Sequence, residues 1–220
     1  MAMPPRSLSR RGGSQRWLVV PLVLTMLVLL VDASMHARSA QPGATMSSEA
    51  WVDKVLPEIA QSSAQGREIA QLSSTRLTSN SDIVSNELTK IASAASATYE
   101  AVAAYEAPSE VASAAGLLVA CLLARKAGSA QLASAVQDLV RGDGPTSALL
   151  QMSSAAADFK VGDSAYQLFA QDFPRLGVRM PGSRWATGTG LYQPSSLGAF
   201  ASRLLAGVVR SPQHNLAIES

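Results

Sequence analysis

Side chains that commonly carry enzyme chemistry are sparse in this chain of 220 residues. His36 follows an apolar N-terminal run and His214 lies near the C-terminus, so the two histidines do not have the spacing of a metal site. Serine catalysis needs a base within hydrogen-bond reach, and no Gly-x-Ser-x-Gly turn accompanies His214. We therefore predict that the protein is not an enzyme and holds no cofactor or metal. An enzyme that uses carboxylates as its acid and base stays open as an alternative.

The remaining candidate groups are predicted to be structural. Cys121 is the single cysteine and lies in a helical apolar pattern, so we expect a buried thiol and no intramolecular disulfide. Arg141-Gly142-Asp143 matches an integrin-binding tripeptide, but a helix end followed by a glycine turn is the favoured interpretation. Four aspartates lack the alternating ligands of a calcium loop and are expected to be solvated charges at helix ends: Asp138, Asp143, Asp158 and Asp163.

Aromatic side chains are concentrated between residues 159 and 200, where all four phenylalanines lie. The favoured interpretation is packing, in which an irregular segment, 174–194, crosses the bundle and inserts Trp185 between the fourth and fifth helices. The alternative is an interaction face, in which arginines form a polar rim and cation–π partners around the tryptophan. The residues of that face are Arg175, Arg179, Arg184, Trp185 and Tyr192.

Apolar residues recur at three- and four-residue spacing through five segments, which predicts five helices. Their approximate bounds are 48–77, 82–106, 108–141, 146–173 and 195–210. Pro57 is a candidate kink in the first helix, and Gly162-Asp163 is a candidate break in the fourth. Long helices joined by short turns are typical of an up-down bundle. The predicted fold class is therefore all-α, with four to five bundle helices after a single N-terminal transmembrane helix.

The N-terminus carries an uncharged apolar run, Trp17 to Val31, with four arginines before it and Asp32 after it. This arrangement predicts a cytoplasmic N-terminus and an extracytoplasmic remainder. Fifteen residues fall between a full span and a signal-peptide core, so a retained anchor is favoured and a cleaved signal stays open. The predicted parts are a basic tail (1–16), the anchor or signal segment (17–37), a linker (38–47), the bundle (48–210) and a C-terminal tail (211–220).

A second membrane span is the main alternative topology. Val111 to Ala124 contains no charge and is followed by two basic residues. This stretch is short for a span and only mildly lipophilic, so a buried bundle helix is the favoured interpretation.

Charge excludes one class of partner. The whole chain carries 18 basic and 16 acidic residues, a net charge of +2, but residues 1–32 contain four arginines and one aspartate. The part after residue 32 is therefore nearly neutral, with a net charge of −1. Because nucleic-acid binding depends on phosphate neutralisation, we predict no nucleic-acid partner.

Two segments add a resemblance to these expectations: residues 173–185, which read Phe-Pro-Arg-Leu-Gly-Val-Arg-Met-Pro-Gly-Ser-Arg-Trp, and residues 211–217, which read Ser-Pro-Gln-His-Asn-Leu-Ala. Together with the basic tail, the short anchor and the long helices, the chain resembles uncharacterised membrane-anchored envelope proteins of high-GC Gram-positive bacteria. Such proteins continue into a β-rich domain, so the resemblance implies a short or truncated member. It implies location and architecture, and it brings no activity.

These features lead to one functional prediction and one alternative. The prediction is a single-pass cell-membrane protein whose extracytoplasmic helical domain acts as an interaction or scaffold module of the cell envelope, with the membrane and an envelope protein as partners. The alternative is a secreted or anchored protein that binds a small apolar ligand between its helices.

Overall fold

A computed structural model describes residues 46–74, 80–173, 180–185 and 194–210, and these residues form an all-α bundle. Its five helices are α1 (Ser48–Ser74), α2 (Ser81–Ala103), α3 (Ala112–Arg141), α4 (Pro145–Asp172) and α5 (Pro194–Arg210). A 3₁₀ turn, Ser109–Val111, leads into α3. The predicted all-α bundle is confirmed. The predicted basic tail, the anchor or signal segment, most of the linker and the C-terminal tail lie outside the described residues.

Local sequence signals account for several helix ends. The Asn80 side chain caps α2 by accepting hydrogen bonds from the backbone amides of Asp82 and Ile83, at 3.1 and 3.3 Å. Helix α3 ends at Gly142, whose φ of 80° lies in the left-handed region that glycine adopts without strain. The predicted helix end and glycine turn after Arg141 are therefore confirmed.

The candidate kink at Pro57 and the candidate break at Gly162-Asp163 both lie inside helices. Pro57 lies inside α1, which continues from Ser48 to Ser74. Gly162 and Asp163 lie inside α4, which continues from Pro145 to Asp172, so the predicted break is wrong. At Gly162, a Cβ atom would lie 3.1 Å from both the Cys121 carbonyl oxygen and the Arg125 Cγ. The glycine therefore allows α3 and α4 to approach each other closely.

The four long helices run up and down around two apolar clusters. One cluster joins the late parts of α1 and α3 to the early parts of α2 and α4, and it also includes residues of α5. The other joins the early parts of α1 and α3 to the late parts of α2 and α4. Because each cluster combines opposite ends of neighbouring helices, adjacent helices are antiparallel, as in an up-down bundle.

A layer of buried polar side chains lies between the two apolar clusters. Each of the four long helices contributes to it at a position between its residues of one cluster and its residues of the other. We call these residues the polar layer: Ser62, Gln65, Thr98, Arg125, Ser129 and Asp163. Gln65 donates a hydrogen bond of 3.2 Å to the Thr98 hydroxyl and thereby links α1 to α2.

Among the described residues, one helical run, Ser109–Arg141, is long and apolar enough to cross a membrane, with a mean hydropathy of 1.5 over its most apolar window. Half of that window is buried inside the bundle. Since a core helix of a soluble bundle meets the same criteria of length and composition, this run leaves the favoured interpretation of a buried bundle helix in place.

Candidate functional site

Arg125 of α3 is the centre of the polar layer. Its side chain is 1% exposed, and its guanidinium connects α1, α4 and the non-helical segment 180–185. One terminal nitrogen donates to the hydroxyls of Ser62 and Ser183, both at 2.9 Å. The other donates to the Asp163 carboxylate at 3.0 Å and to the Ser183 carbonyl at 3.1 Å. The buried charge is thus compensated by one carboxylate and three neutral acceptors.

Asp163 of α4 joins the same segment from the other side. Its carboxylate accepts the backbone N–H of Trp185 with both oxygens, at 2.9 and 3.1 Å. The Asp163 residue is 6% exposed and lies in the interior of a helix, so its predicted role as a solvated helix-end charge is wrong. The ion pair with Arg125 stabilises its charge at this position.

The Trp185 ring occupies a notch between α1, α3 and α4. At Gly66 of α1, a Cβ atom would lie 2.7 Å from the indole Cδ1, so a residue without a side chain is needed there. The ring centroid lies 5.3 Å from that of Phe159, and the Arg125 guanidinium lies 5.4 Å from the indole centroid. The indole Nε1 is buried and has no hydrogen-bond partner among the described residues.

Two further ionisable groups lie beside the Arg125 guanidinium. The Cys121 thiol is buried, as predicted, and this burial raises its pKa to about 11. Burial also raises the pKa of the Tyr166 hydroxyl to about 12. That hydroxyl donates a hydrogen bond to the Pro181 carbonyl, while its ring centroid lies 5.4 Å from the guanidinium. Both groups therefore stay protonated at neutral pH, and neither is an activated nucleophile.

Two of the five residues of the interaction face predicted from the sequence, Arg184 and Trp185, lie in the described part of the chain. Trp185 is 1% exposed, so it packs inside the protein and is not available as a surface member of such a face. Its packing agrees with the favoured interpretation, although its ring and backbone contact α1, α3 and α4. Arg184 is exposed. Arg175, Arg179 and Tyr192 lie outside the described residues.

A second candidate site is the outer surface of α4. Six residues at alternating four- and three-residue spacing lie on the side of the helix opposite Phe159, and none of them carries a charge. We call this surface the outer lane of α4: Leu150, Ser154, Ala157, Val161, Ser164 and Leu168. The leucines at its ends are 69% and 52% exposed and lie about 27 Å apart at the helical rise.

Neither a metal site nor a known relative assigns a function to these residues. Among residues 46–74, 80–173, 180–185 and 194–210, no group of three or more histidine, cysteine, aspartate or glutamate side chains could hold a metal ion. Comparison of the chain with protein-family models, with curated proteins and with solved structures finds no match. Any assignment of function therefore depends on the site geometry itself.

Proposed function

We propose that the protein is a membrane-anchored, extracytoplasmic helical domain that acts as an interaction or scaffold module of the cell envelope. The apolar segment from Trp17 to Val31, with arginines before it, supports the anchor and the orientation. The proposal for the remainder of the chain rests on how the bundle distributes its polar and apolar side chains.

The buried polar groups support a structural role for the bundle interior. Arg125 and Asp163 direct their hydrogen bonds to each other, to α1 and to the segment 180–185. Since both are almost completely buried, neither presents its charge to a substrate at the surface. The outer faces of the helices, in contrast, are exposed and directly available to a partner.

The outer lane of α4 is the observation that carries the proposal. A face with exposed leucines at both ends and small uncharged residues between them can bury apolar area without leaving a charge unpaired. The spacing of four and three residues is that of a helix seam. The partner that fits this face is therefore an amphipathic helix with apolar residues at the same spacing.

Site-specific photo-cross-linking in intact cells tests this interface. A photoreactive residue at position 150 or 168 should capture one defined partner, while the same residue at Lys90, an exposed position on α2, should not. The substitution Ala157→Arg introduces a charge in the middle of the lane and should abolish capture at both leucine positions. Equal capture at position 90, or capture that survives Ala157→Arg, would contradict the proposed interface.

A topology experiment tests the location separately. A reporter that is active only outside the cytoplasmic membrane should be active when fused after residue 75 and also after residue 215. Activity at the first fusion and silence at the second would show that the run Ser109–Arg141 crosses the membrane. A soluble mature form that begins near Ser34 or Arg38 would show that the N-terminal segment is a cleaved signal. The alternative function, binding of a small apolar ligand, stays a prediction from the sequence.

A further inference from the structure

The segment 180–185 contacts the bundle in the manner of a bound extended peptide. The bundle contacts its main chain at alternate residues: Tyr166 binds the Pro181 carbonyl, Arg125 binds the Ser183 carbonyl, and Asp163 binds the Trp185 N–H. Pro181, Gly182 and Arg184 are exposed, whereas Ser183 and Trp185 are buried. The period of two is therefore a property of the main-chain contacts. A period of two is that of an extended chain recognised along one edge.

Two side chains of the segment add specificity to these main-chain contacts. The Ser183 hydroxyl accepts hydrogen bonds from Ser63 at 2.8 Å and from Arg125 at 2.9 Å. The Trp185 ring fills the notch at Gly66. The bundle residues that make these hydrogen bonds and ring contacts with the segment lie on α1, α3 and α4, whose helices also pack on one another through the two apolar clusters. We call the surface that holds the segment the cleft. Its walls are formed by the three helices, and residues 180–185 occupy it.

The buried ion pair bonds to the main chain of the segment as well as joining the helices, and this supports peptide recognition by the cleft. A buried arginine and aspartate are costly to desolvate, and packing alone is served as well by apolar side chains. Here two of the four Arg125 hydrogen bonds and both Asp163 contacts with the backbone are made to the segment. These groups match the carbonyl and the N–H of an extended chain, which any peptide provides.

We propose that this cleft is a peptide-recognition site for an extended segment of the form Ser-x-Trp. The chain fills it with its own residues 180–185, and a segment of the same pattern in a partner protein can replace them. Because the internal segment is covalently attached, it competes at a high effective concentration, so a partner binds when that segment is displaced or weakened. This site is separate from the outer lane of α4 and does not depend on the function proposed for that surface.

The test uses the full-length chain in detergent and a fluorescent peptide with the sequence of residues 180–185, Met-Pro-Gly-Ser-Arg-Trp, capped at both ends. The substitution Trp185→Ala empties the notch, so this variant should bind the peptide saturably in an anisotropy titration. The wild-type chain should bind about tenfold more weakly or worse, because its own Trp185 occupies the notch. A peptide with alanine in place of tryptophan should lose about tenfold in affinity or more.

Matched chain variants locate the binding in the cleft. Adding Asp163→Asn to Trp185→Ala should weaken peptide binding about tenfold in a chain that keeps its helical circular dichroism, because the substitution removes the charged acceptor for the peptide N–H. Adding Asp158→Asn should leave the affinity unchanged, because Asp158 lies on the same helix but bonds to Gln131 and not to the segment. A naphthylalanine peptide should bind at least as well as the tryptophan peptide, since the indole Nε1 has no partner among the described residues.

Three results would overturn the proposal. The first is no saturable binding by a Trp185→Ala chain that keeps its helical circular dichroism. The second is equal binding by the wild-type and Trp185→Ala chains, which would place the peptide elsewhere. The third concerns a Trp185→Ala chain that has lost its helical signal: the peptide should then restore the signal as it binds, and failure to restore it would also count against the site.

Discussion

The Arg125–Asp163 ion pair offers the sharpest test of the polar layer. The two side chains are 1% and 8% exposed and lie 3.0 Å apart. Asp163→Asn preserves the shape of the side chain and one oxygen acceptor for the Trp185 N–H, but it leaves the guanidinium buried without a counter-ion. Removing one partner of a buried pair typically costs about 3–5 kcal/mol in the free energy of unfolding, and we expect a loss in this range.

The reverse substitution should cost a similar amount for a different reason. Arg125→Met leaves the Asp163 carboxylate buried without its cationic partner, and it removes the donors to Ser62 and Ser183. The double variant contains neither charge. The free energy of unfolding that the double variant loses should therefore be smaller than the sum of the losses in the two single variants, with a coupling free energy of about 2–3 kcal/mol.

Chemical denaturation of the full-length chain, followed by far-ultraviolet circular dichroism, measures all four proteins. The matched control is the ion pair between Lys90 and Glu87 on the surface of α2, whose side chains are 71% and 43% exposed. Lys90→Met should change the free energy of unfolding by less than about 1 kcal/mol. Additive losses in the Arg125–Asp163 cycle, with no coupling, would refute the conclusion that the two charges stabilise each other.

Four further substitutions, one of them a control, test the packing and the buried thiol. Trp185→Ala should lower the free energy of unfolding by about 3–5 kcal/mol, and an unchanged melting temperature would show that the ring is not buried. Gly128→Ala places a Cβ atom 2.7 Å from a ring carbon of Phe159 and should cost about 1–3 kcal/mol, whereas Gly182→Ala meets nothing within 4 Å and should melt like the parent. Burial raises the pKa of Cys121 from 9.0 to about 11. The contribution of the protonated thiol to the free energy of unfolding is therefore complete below pH 9 and is lost as the pH rises towards 11. This loss amounts to about 3 kcal/mol, and Cys121→Ala should abolish it; parallel pH curves for the two proteins would contradict the burial of the thiol.

The helices of the bundle could be predicted from the sequence because their apolar residues follow the helical period. The predicted segments match the five helices, and differences are confined to a few residues at the ends, such as α2, which ends at Ala103. The predicted break at Gly162 was wrong because a glycine was interpreted by its local effect on the helix. Its actual role is tertiary, since it allows the close approach of α3.

The polar layer could not be predicted in the same way, because its members are distant in the sequence. Arg125 bonds to residues that lie 63, 58 and 38 positions away, namely Ser62, Ser183 and Asp163. In the sequence, Arg125 is simply the basic residue after an apolar run. The burial of Trp185 could be predicted, because a large aromatic side chain removes the most apolar surface from water when it packs inside a small bundle. The hydrogen-bond partner of the Trp185 backbone, Asp163, could not be predicted.

The position of the polar layer has a consequence for the whole bundle. Each apolar cluster combines alanine, leucine and valine with aromatic side chains, and none of these side chains carries a charge that a shifted arrangement would leave unpaired. A shift of α3 against α4 by one turn, about 5.4 Å, would separate Arg125 from Asp163 and bury each charge without its partner. The ion pair therefore penalises the shifted register in addition to the cost of repacking the apolar clusters. Because Ser183 and Trp185 bind to these same charges, the register of the helices and the seating of the segment 180–185 depend on one set of contacts.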